Sequence, residues 1–465
     1  MGKTFRRYEP DQYLLLPPDL RAWLPEGHLA LFVSDIVEEL DLSVIFDEYE
    51  KGDGRGYPPY HPVMMVKLLI YGYCTGVVSS RKIERATFVD VAFRVLAANQ
   101  HPDHDSIASF RKRHLQALAG LFVQVLRLCE KAGLVKLGHV AVDGTKIRAN
   151  ASKHKAMSYA RMVETEKRLE AEMIALLEEA QRIDDAEDAL YGKDKRGDEL
   201  PAELARRESR IAKIRQAKAA LEAEAREAAT TKAAEAEARI EERKRTAEET
   251  GRRPGGHDPK VPDPESAVPD ATAQKNFTDP ESRIMKDGAS KSFEQCYNAQ
   301  AAVDAHAQII VAAEVVQAPT DKQQLVPMLE AVEENMGRKP EQASADSGYF
   351  STAAVSSQRL EGIDVHVPPD KVKHGEPKEA DPEPVPEDAS VIEKMRHKLK
   401  TTVGRQIYGK RKAVVEPVFG QIKEARGFRR FSFRGVTAVK AEWSLVCLTH
   451  NLLKLFRAGG LPTPA

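Results

Sequence analysis

The chain has 465 residues and a formal net charge of −1, with 30% of its residues charged and 6% aromatic. At roughly 150 residues per domain, that length holds two to four domains, and the composition points to a soluble protein with long solvated helices rather than a compact all-β one. The near-zero charge hides an asymmetry: residues 391–465 carry sixteen Lys or Arg against four Asp or Glu, a stretch that calls for a polyanionic partner. Cys74, Cys129, Cys296 and Cys447 form no CxxC pair, which argues against a zinc knuckle or a disulfide framework and fits a reducing cytoplasm. The start leads into no apolar signal core. The longest apolar stretch, Val63 to Val78, is interrupted by Lys67 and too short to span a bilayer, so neither a membrane segment nor export is expected.

The first third reads as helices: 29–40, 61–73, 79–97 and 106–132, with Asp105 placed to cap the last. Asn99-Gln100-His101-Pro102 is a turn signal between the last two, so the pair resembles a helix-turn-helix. Its second helix carries Arg111, Lys112 and Arg113, either a DNA-contacting face or a solvated one. His101, His104 and His114 lack neighbours that would complete a metal-ligand set.

From Lys136 the pattern turns to strands, and Val140-Ala141-Val142 is read as ending on Asp143-Gly144. Residues 157–245 are rich in Ala, Glu, Arg and Lys, with heptad-spaced apolar positions over 157–190 and again over 204–228. Gly192, Gly197 and Pro201 break the two stripes, which predicts an antiparallel helical hairpin serving as a structural arm. A Pro-, Gly- and Asp-rich stretch after Gly251 reads as a flexible linker. Strands are then expected at 293–303, 308–316, 342–345 and 363–367, and helices at 325–334 and 352–360; this order argues for a mixed α/β sheet covered by helices. Residues 369–390 read as a disordered insert. Beyond them, helices are predicted around 414–423 and at 443–456. Pro417 is expected in the first turn of the former, and Phe428, Phe431 and Phe433, alternating with Arg426, Arg429, Arg430 and Arg434, suit an edge strand with phosphate-binding arginines.

Three acids stand out. Asp143 and Asp346 are each read as the end of a strand, where open α/β sheets place ligands. Glu416 lies in the basic run Lys410-Arg411-Lys412-Ala413-Val414-Val415-Glu416, and an acid amid cations meant for phosphate suggests a metal ion. Hard oxygen ligands in small number suit Mg²⁺ or Mn²⁺, and two such ions can drive an in-line phosphoryl displacement.

Val142-Asp143-Gly144-Thr145, Ala345-Asp346-Ser347-Gly348-Tyr349 and Val415-Glu416-Pro417-Val418-Phe419-Gly420-Gln421-Ile422-Lys423 resemble, in order, the three catalytic motifs of DDE transposases from bacterial insertion sequences. Arg426-Gly427-Phe428-Arg429-Arg430-Phe431 and His450-Asn451-Leu452-Leu453-Lys454 are similar to the same family. Gly54-Arg55-Gly56 with Tyr60-His61-Pro62-Val63, and Pro102-Asp103-His104-Asp105-Ser106 with Phe110-Arg111-Lys112-Arg113, resemble its helical amino-terminal domain. The nearest branch is the insertion-sequence family numbered eleven-eighty-two.

The resemblance implies a ribonuclease-H-like catalytic fold in residues 136–154 and 276–465, a helical DNA-binding domain in 1–135, an inserted helical hairpin in 155–250 and a linker in 251–275. It also implies two Mg²⁺ or Mn²⁺ ions on Asp143, Asp346 and Glu416, with Asp143 bridging both. A Tyr-Arg-Glu-Lys signature maps onto Tyr408, Arg411, Glu416 and Lys423. Four residues separate Arg411 from Glu416 where three are usual, so Lys412, on the helical face of Glu416, competes with Arg411 for the phosphate. Lys423, seven residues after Glu416, is expected to return to that face and hold DNA backbone. The expected partners are double-stranded element ends and target DNA, bound by a homodimer without a nucleotide cofactor. The expected reaction is strand cleavage at terminal inverted repeats, followed by joining of the 3′ ends to target DNA. The rival readings are a catalytically inactive, transposase-derived DNA-binding regulator and a repair nuclease of the same fold.

Overall fold

The computed structural model describes residues 19–50, 58–191, 202–252, 255–286, 292–371, 385–386 and 388–460. They gather into two compact units, one within residues 1–147, 298–431 and 437–465, the other within 148–297 and 432–436. The architecture is mixed α/β with a helical amino-terminal part.

In the first unit the chain opens with α1 (Leu29–Glu39), α2 (Ser43–Glu50), α3 (Pro62–Thr75), α4 (Ser80–Val89), α5 (Val91–Leu96), α6 (His104–Arg113) and α7 (Leu115–Lys131). Helix α3 is apolar nearly all round and buried from Met64 to Cys74 except at Lys67, as a helix surrounded by others must be. The two long helices expected at 79–97 and 106–132 are each broken in two. Asp90 ends α4 and caps α5 by accepting from Ala92 N at 2.8 Å, and the chain breaks again at His114. Asp103, not Asp105, caps α6, accepting from Ser106 N at 2.8 Å. Ala98 and Asn99, at φ 48° and 59°, turn the chain between α5 and α6, and Arg94 braces that turn with a 2.7 Å bond to Asn99 Oδ1.

The strands are β1 (His139–Arg148), β2 (Ala156–Ser158), β3 (Gln274–Asn276), β4 (Arg283–Lys286), β5 (Phe293–Asp304), β6 (Ile310–Val316), β7 (Gln342–Ser344) and β8 (Asp364–His366). Within the first unit the sheet runs β6, β5, β1, β7, β8; β6 is antiparallel to β5, while β7 is parallel to both β1 and β8. Helix α10 (Leu325–Met336) packs on β6, and Leu325, Met328, Leu329 and Val332 are its buried stripe. The helix expected at 352–360 is only one turn, α11 (Thr352–Val355), with a 3₁₀ turn at Gln358–Leu360. Strand β1 continues through Asp143 to Arg148, so this aspartate lies inside a strand rather than at its end.

The basic segment holds α12 (Val391–Lys400), α13 (Thr402–Gly420), a π-helical turn (Gln421–Ala425) and α14 (Val436–Arg457). Helix α13 starts far earlier than the expected residue 414, which puts Pro417 in its interior rather than its first turn. The interior is tolerated because Ala413 O, which a proline N–H cannot serve, accepts instead from Gln308 Nε2 at 2.9 Å. No edge strand forms at 428–434. Phe428 and Phe431 are core residues, packed edge to face with ring centroids 5.6 Å apart. Helix α14 joins the amino-terminal helices in one core, where Tyr73 Oη donates to Glu442 at 2.9 Å and Trp443 Nε1 to Gln300 O at 2.9 Å.

In the second unit, β2 pairs antiparallel with β3, and β4 with the first residues of β5. Helices α8 (Tyr159–Tyr191) and α9 (Ala202–Thr250) pack through Met162, Leu169, Ile211, Ile214, Ala217 and Leu221. Glu166 meets Arg215 at 2.9 Å and Lys218 at 3.0 Å, while Glu172 meets Arg207 at 3.3 Å; residues later on α8 thus face residues earlier on α9. Gly192, Gly197 and Pro201, expected to turn the chain, lie outside the described residues, as does most of the insert at 369–390. The start of the expected linker is tied to α9, since Arg243 donates to Gly256 O at 2.8 Å and pairs with Asp258 at 3.1 Å. The four cysteines are buried free thiols, and among the described residues no single helix is long and apolar enough to cross a membrane.

Candidate active site

Strands β1 and β7 run in parallel register, with Ala141 beside Ser344. Asp143, within β1, and Asp346, which caps the 3₁₀ turn after β7, each follow this last parallel pair by two residues, and the Asp346 charge acts on the Asp143 carboxyl. Asp346 turns its Oδ1 back to Gly348 N at 2.8 Å, and Asp143 Oδ1 accepts from Gly144 N at 2.8 Å.

Arg411 of α13 closes on Asp143, Nη1 to Oδ2 at 3.0 Å, and is itself buried. Its guanidinium lies 5.8 Å from the ring centre of Tyr408. Burial pushes the Asp143 carboxyl up to about 6, against the pull of Arg411 and with further push from Asp346 and Asp321.

Glu416 stands elsewhere on α13. Arg411, Val414, Val415 and Val418 make the helix's buried face, whereas Lys412 and Glu416 are exposed. No hydrogen bond or ion pair among the described residues joins Glu416 to either aspartate. Lys423 lies in the π-helical turn that follows α13. Its Nζ reaches Thr145 Oγ1 at 3.1 Å and Lys146 O at 3.4 Å, gripping β1 next to Asp143. Arg429 is paired with Glu424, and Arg430 is exposed. In the amino-terminal helices Arg111 turns inward: it is buried and donates to Val78 O at 2.7 Å and Tyr73 Oη at 3.3 Å. A buried guanidinium that holds a backbone carbonyl is a structural group, so of the basic trio only Lys112 and Arg113 face solvent.

Polar residues that the sequence pattern gave no reason to single out surround the aspartates. Asn298 and Gln300, one strand repeat apart on β5, are fully buried and both donate to Asp321 Oδ1, at 2.6 and 2.7 Å. Tyr349, from the Asp346 motif, donates to Gln300 Oε1. Buried amides two residues apart on a strand require partners, and here Asp321 supplies them. Gly144 is required by this packing: a Cβ there would lie 2.7 Å from Asp321 Oδ1 and 2.9 Å from Asn298 Oδ1.

Among the described residues no three Asp, Glu, His or Cys side chains stand as a ready-made ligand set. The donors do suit a hard divalent cation in kind, being two partly buried carboxylates, one of which burial makes reluctant to ionise.

A family model described as a transposase domain (DUF772) matches residues 18–113, and one described as a transposase DDE domain matches residues 382–456. These matches support a DDE transposase. The second covers Tyr408, Arg411, Lys412, Glu416, Lys423, Arg429 and Arg430, and the first covers Lys112 and Arg113, while Asp143 and Asp346 fall between the two. No curated protein and no solved structure matches the chain.

Proposed function

We propose that this DNA transposase binds the terminal inverted repeats of its element, cleaves a strand at each end and joins the freed 3′ ends to target DNA. The observation that carries the proposal is that Asp143 and Asp346 both follow the last parallel pair of β1 and β7 and interact through their charges, with Arg411, from a helix within the DDE match, in contact with Asp143. The strand order β6, β5, β1, β7, β8 supports a ribonuclease-H-like catalytic fold, and the opposed contacts of α8 and α9 support an inserted antiparallel hairpin.

Asp143 and Asp346 hold the cations, and Glu416 is the third acid of the motif set. Two Mg²⁺ or Mn²⁺ ions supply activation of the attacking oxygen and stabilisation of the leaving one. Arg411, whose guanidinium pairs with Asp143, would be free to hold a DNA phosphate were a cation bound there. Tyr408 keeps it oriented. Lys423 fixes β1 so that Asp143 stays in place, and Lys412, Arg429 and Arg430 extend the phosphate-binding surface. Lys112 and Arg113 contact DNA from the amino-terminal helices. A cytoplasmic homodimer acting on paired ends completes the reading.

One observation favours a second reading, a DNA-binding regulator without cleavage: Arg411 occupies Asp143 while Glu416 faces away. Asp143→Asn, Asp346→Asn and Glu416→Gln separate the two. On a duplex carrying the sequences that flank the gene, each variant is expected to abolish Mg²⁺-dependent cleavage and to retain gel-shift binding. Cleavage at the wild-type rate in any variant removes that residue from the catalytic set, and its absence in the wild type favours the regulator.

A further inference from the structure

We infer that Asp321 is an additional carboxylate of the cation site, positioned by Asn298 and Gln300 to act with Asp143 and Asp346. The inference rests on the cation-binding reading above and extends it to a residue outside the three motifs.

Asp321 precedes α10, away from β1 and β7 in sequence, yet its carboxylate lies against both motif loops. Its Oδ1 is 2.7 Å from where a Cβ of Gly144 would stand, and its Oδ2 is 3.9 Å from the corresponding point on Gly348. Both amide bonds go to Oδ1, and Lys146 Nζ approaches the same oxygen at 3.7 Å. Oδ2 is thus the oxygen left over, on the Asp346 side. The amides also fix the carboxylate's rotamer, which a ligand group needs.

An independent observation comes from Asn298. Its side chain is fully buried, and its Oδ1 has no hydrogen-bond partner although its Nδ2 has two. That orphan acceptor points at Gly144, next to Asp143. A buried acceptor left without a donor costs about 1–3 kcal/mol unless something positive or protic serves it. The charges of Asp346 and Asp321 act on Asp143, so three carboxylates and an orphan carbonyl oxygen stand against the two cations Arg411 and Lys146, without yet forming a closed ligand set among the described residues. A divalent cation, with its retained waters, satisfies both the charge and the acceptor.

The test is Mn²⁺ binding to the full-length chain, read from loss of the free-ion paramagnetic resonance signal and from the rise in melting temperature that Mn²⁺ produces. Asp321→Asn keeps the shape and the amide contacts but removes the charge. It is expected to weaken Mn²⁺ binding at least about tenfold and to lose most of the thermal shift. Asp143→Asn is expected to lose both. Asp321→Glu, which returns a carboxylate, is expected to recover part of the affinity, and it serves as the readout if the asparagine variant melts early without metal. Wild-type Mn²⁺ affinity in Asp321→Asn, or affinity in Asp321→Glu no better than in Asp321→Asn, overturns the role of Asp321, while weakened binding in Asp143→Asn keeps the underlying site. Wild-type binding in Asp143→Asn overturns both.

Discussion

Asp143 is where burial, charge and chemistry meet, and its protonation gives a test that needs no DNA. Burial first, and then the neighbouring acids, hold its carboxyl near 6, so between about pH 4 and 6 the folded chain keeps a proton that the unfolded chain releases. Its contribution to stability therefore falls as pH rises through that window. Asp143→Asn removes the effect. In metal-free urea titrations, the variant is expected to match wild type near pH 4 and to exceed it by about 3 kcal/mol at pH 7. A variant less stable than wild type at pH 7 would mean that the Arg411 contact outweighs the burial of the charge. Asp143 and Asp346 were legible as candidates because a short apolar run precedes each, although β1 runs on to Arg148 instead of ending at Asp143. Asp321 was not, since nothing in a turn before a helix announces that two amides on a distant strand will collect it. Arg111 misled for the opposite reason: a basic run at a helix end looks solvated until one member finds a buried carbonyl, here Val78 O.

At the scale of elements, periodicity located most strands and helices of the first unit, because each has one buried face or a fully buried run. It failed where tertiary bonds replace local ones. Pro417 inside α13 is such a place, and its cost is met by Gln308, whose Nε2 binds Ala413 O and whose Oε1 accepts from Lys454 at 2.6 Å. Gln308→Ala is expected to destabilise the chain by about 1 kcal/mol. In a Pro417→Ala background the penalty should shrink, since the substituted residue regains the N–H that the helix lacked. Equal penalties in both backgrounds, measured by chemical denaturation, would show that Gln308 does not substitute for the missing bond. The π-helical turn that follows was equally invisible to heptad counting. It carries Lys423, which donates to Thr145 and Lys146 on the strand of Asp143.

For the whole molecule, composition alone foretold the long charged helices, and heptad spacing foretold which of their faces meet. Helices α8 and α9 leave and rejoin the chain at a short ladder: β2 pairs with β3, and Tyr159 N donates to Ala273 O at 2.8 Å just beyond it. Replacing residues 160–272 by a short Gly/Ser turn should therefore close that ladder and leave a folded chain that binds Mn²⁺, with the helical signal in circular dichroism reduced. Loss of paired-end complexes in gel-shift assays would assign the helices to assembly, and an unfolded product would make them part of the catalytic core. The central claim is that Asp143, within β1, and Asp346, just after β7, cut DNA with divalent cations. Its most direct test is strand cleavage of a duplex bearing the gene's flanking sequences, followed as Mg²⁺ is raised from zero, for wild type and Asp143→Asn side by side at equal DNA occupancy. Cleavage that appears with Mg²⁺ in the wild type and is absent at every concentration in the variant is the predicted result. Cleavage by the variant, or by the wild type without a divalent ion, would contradict it.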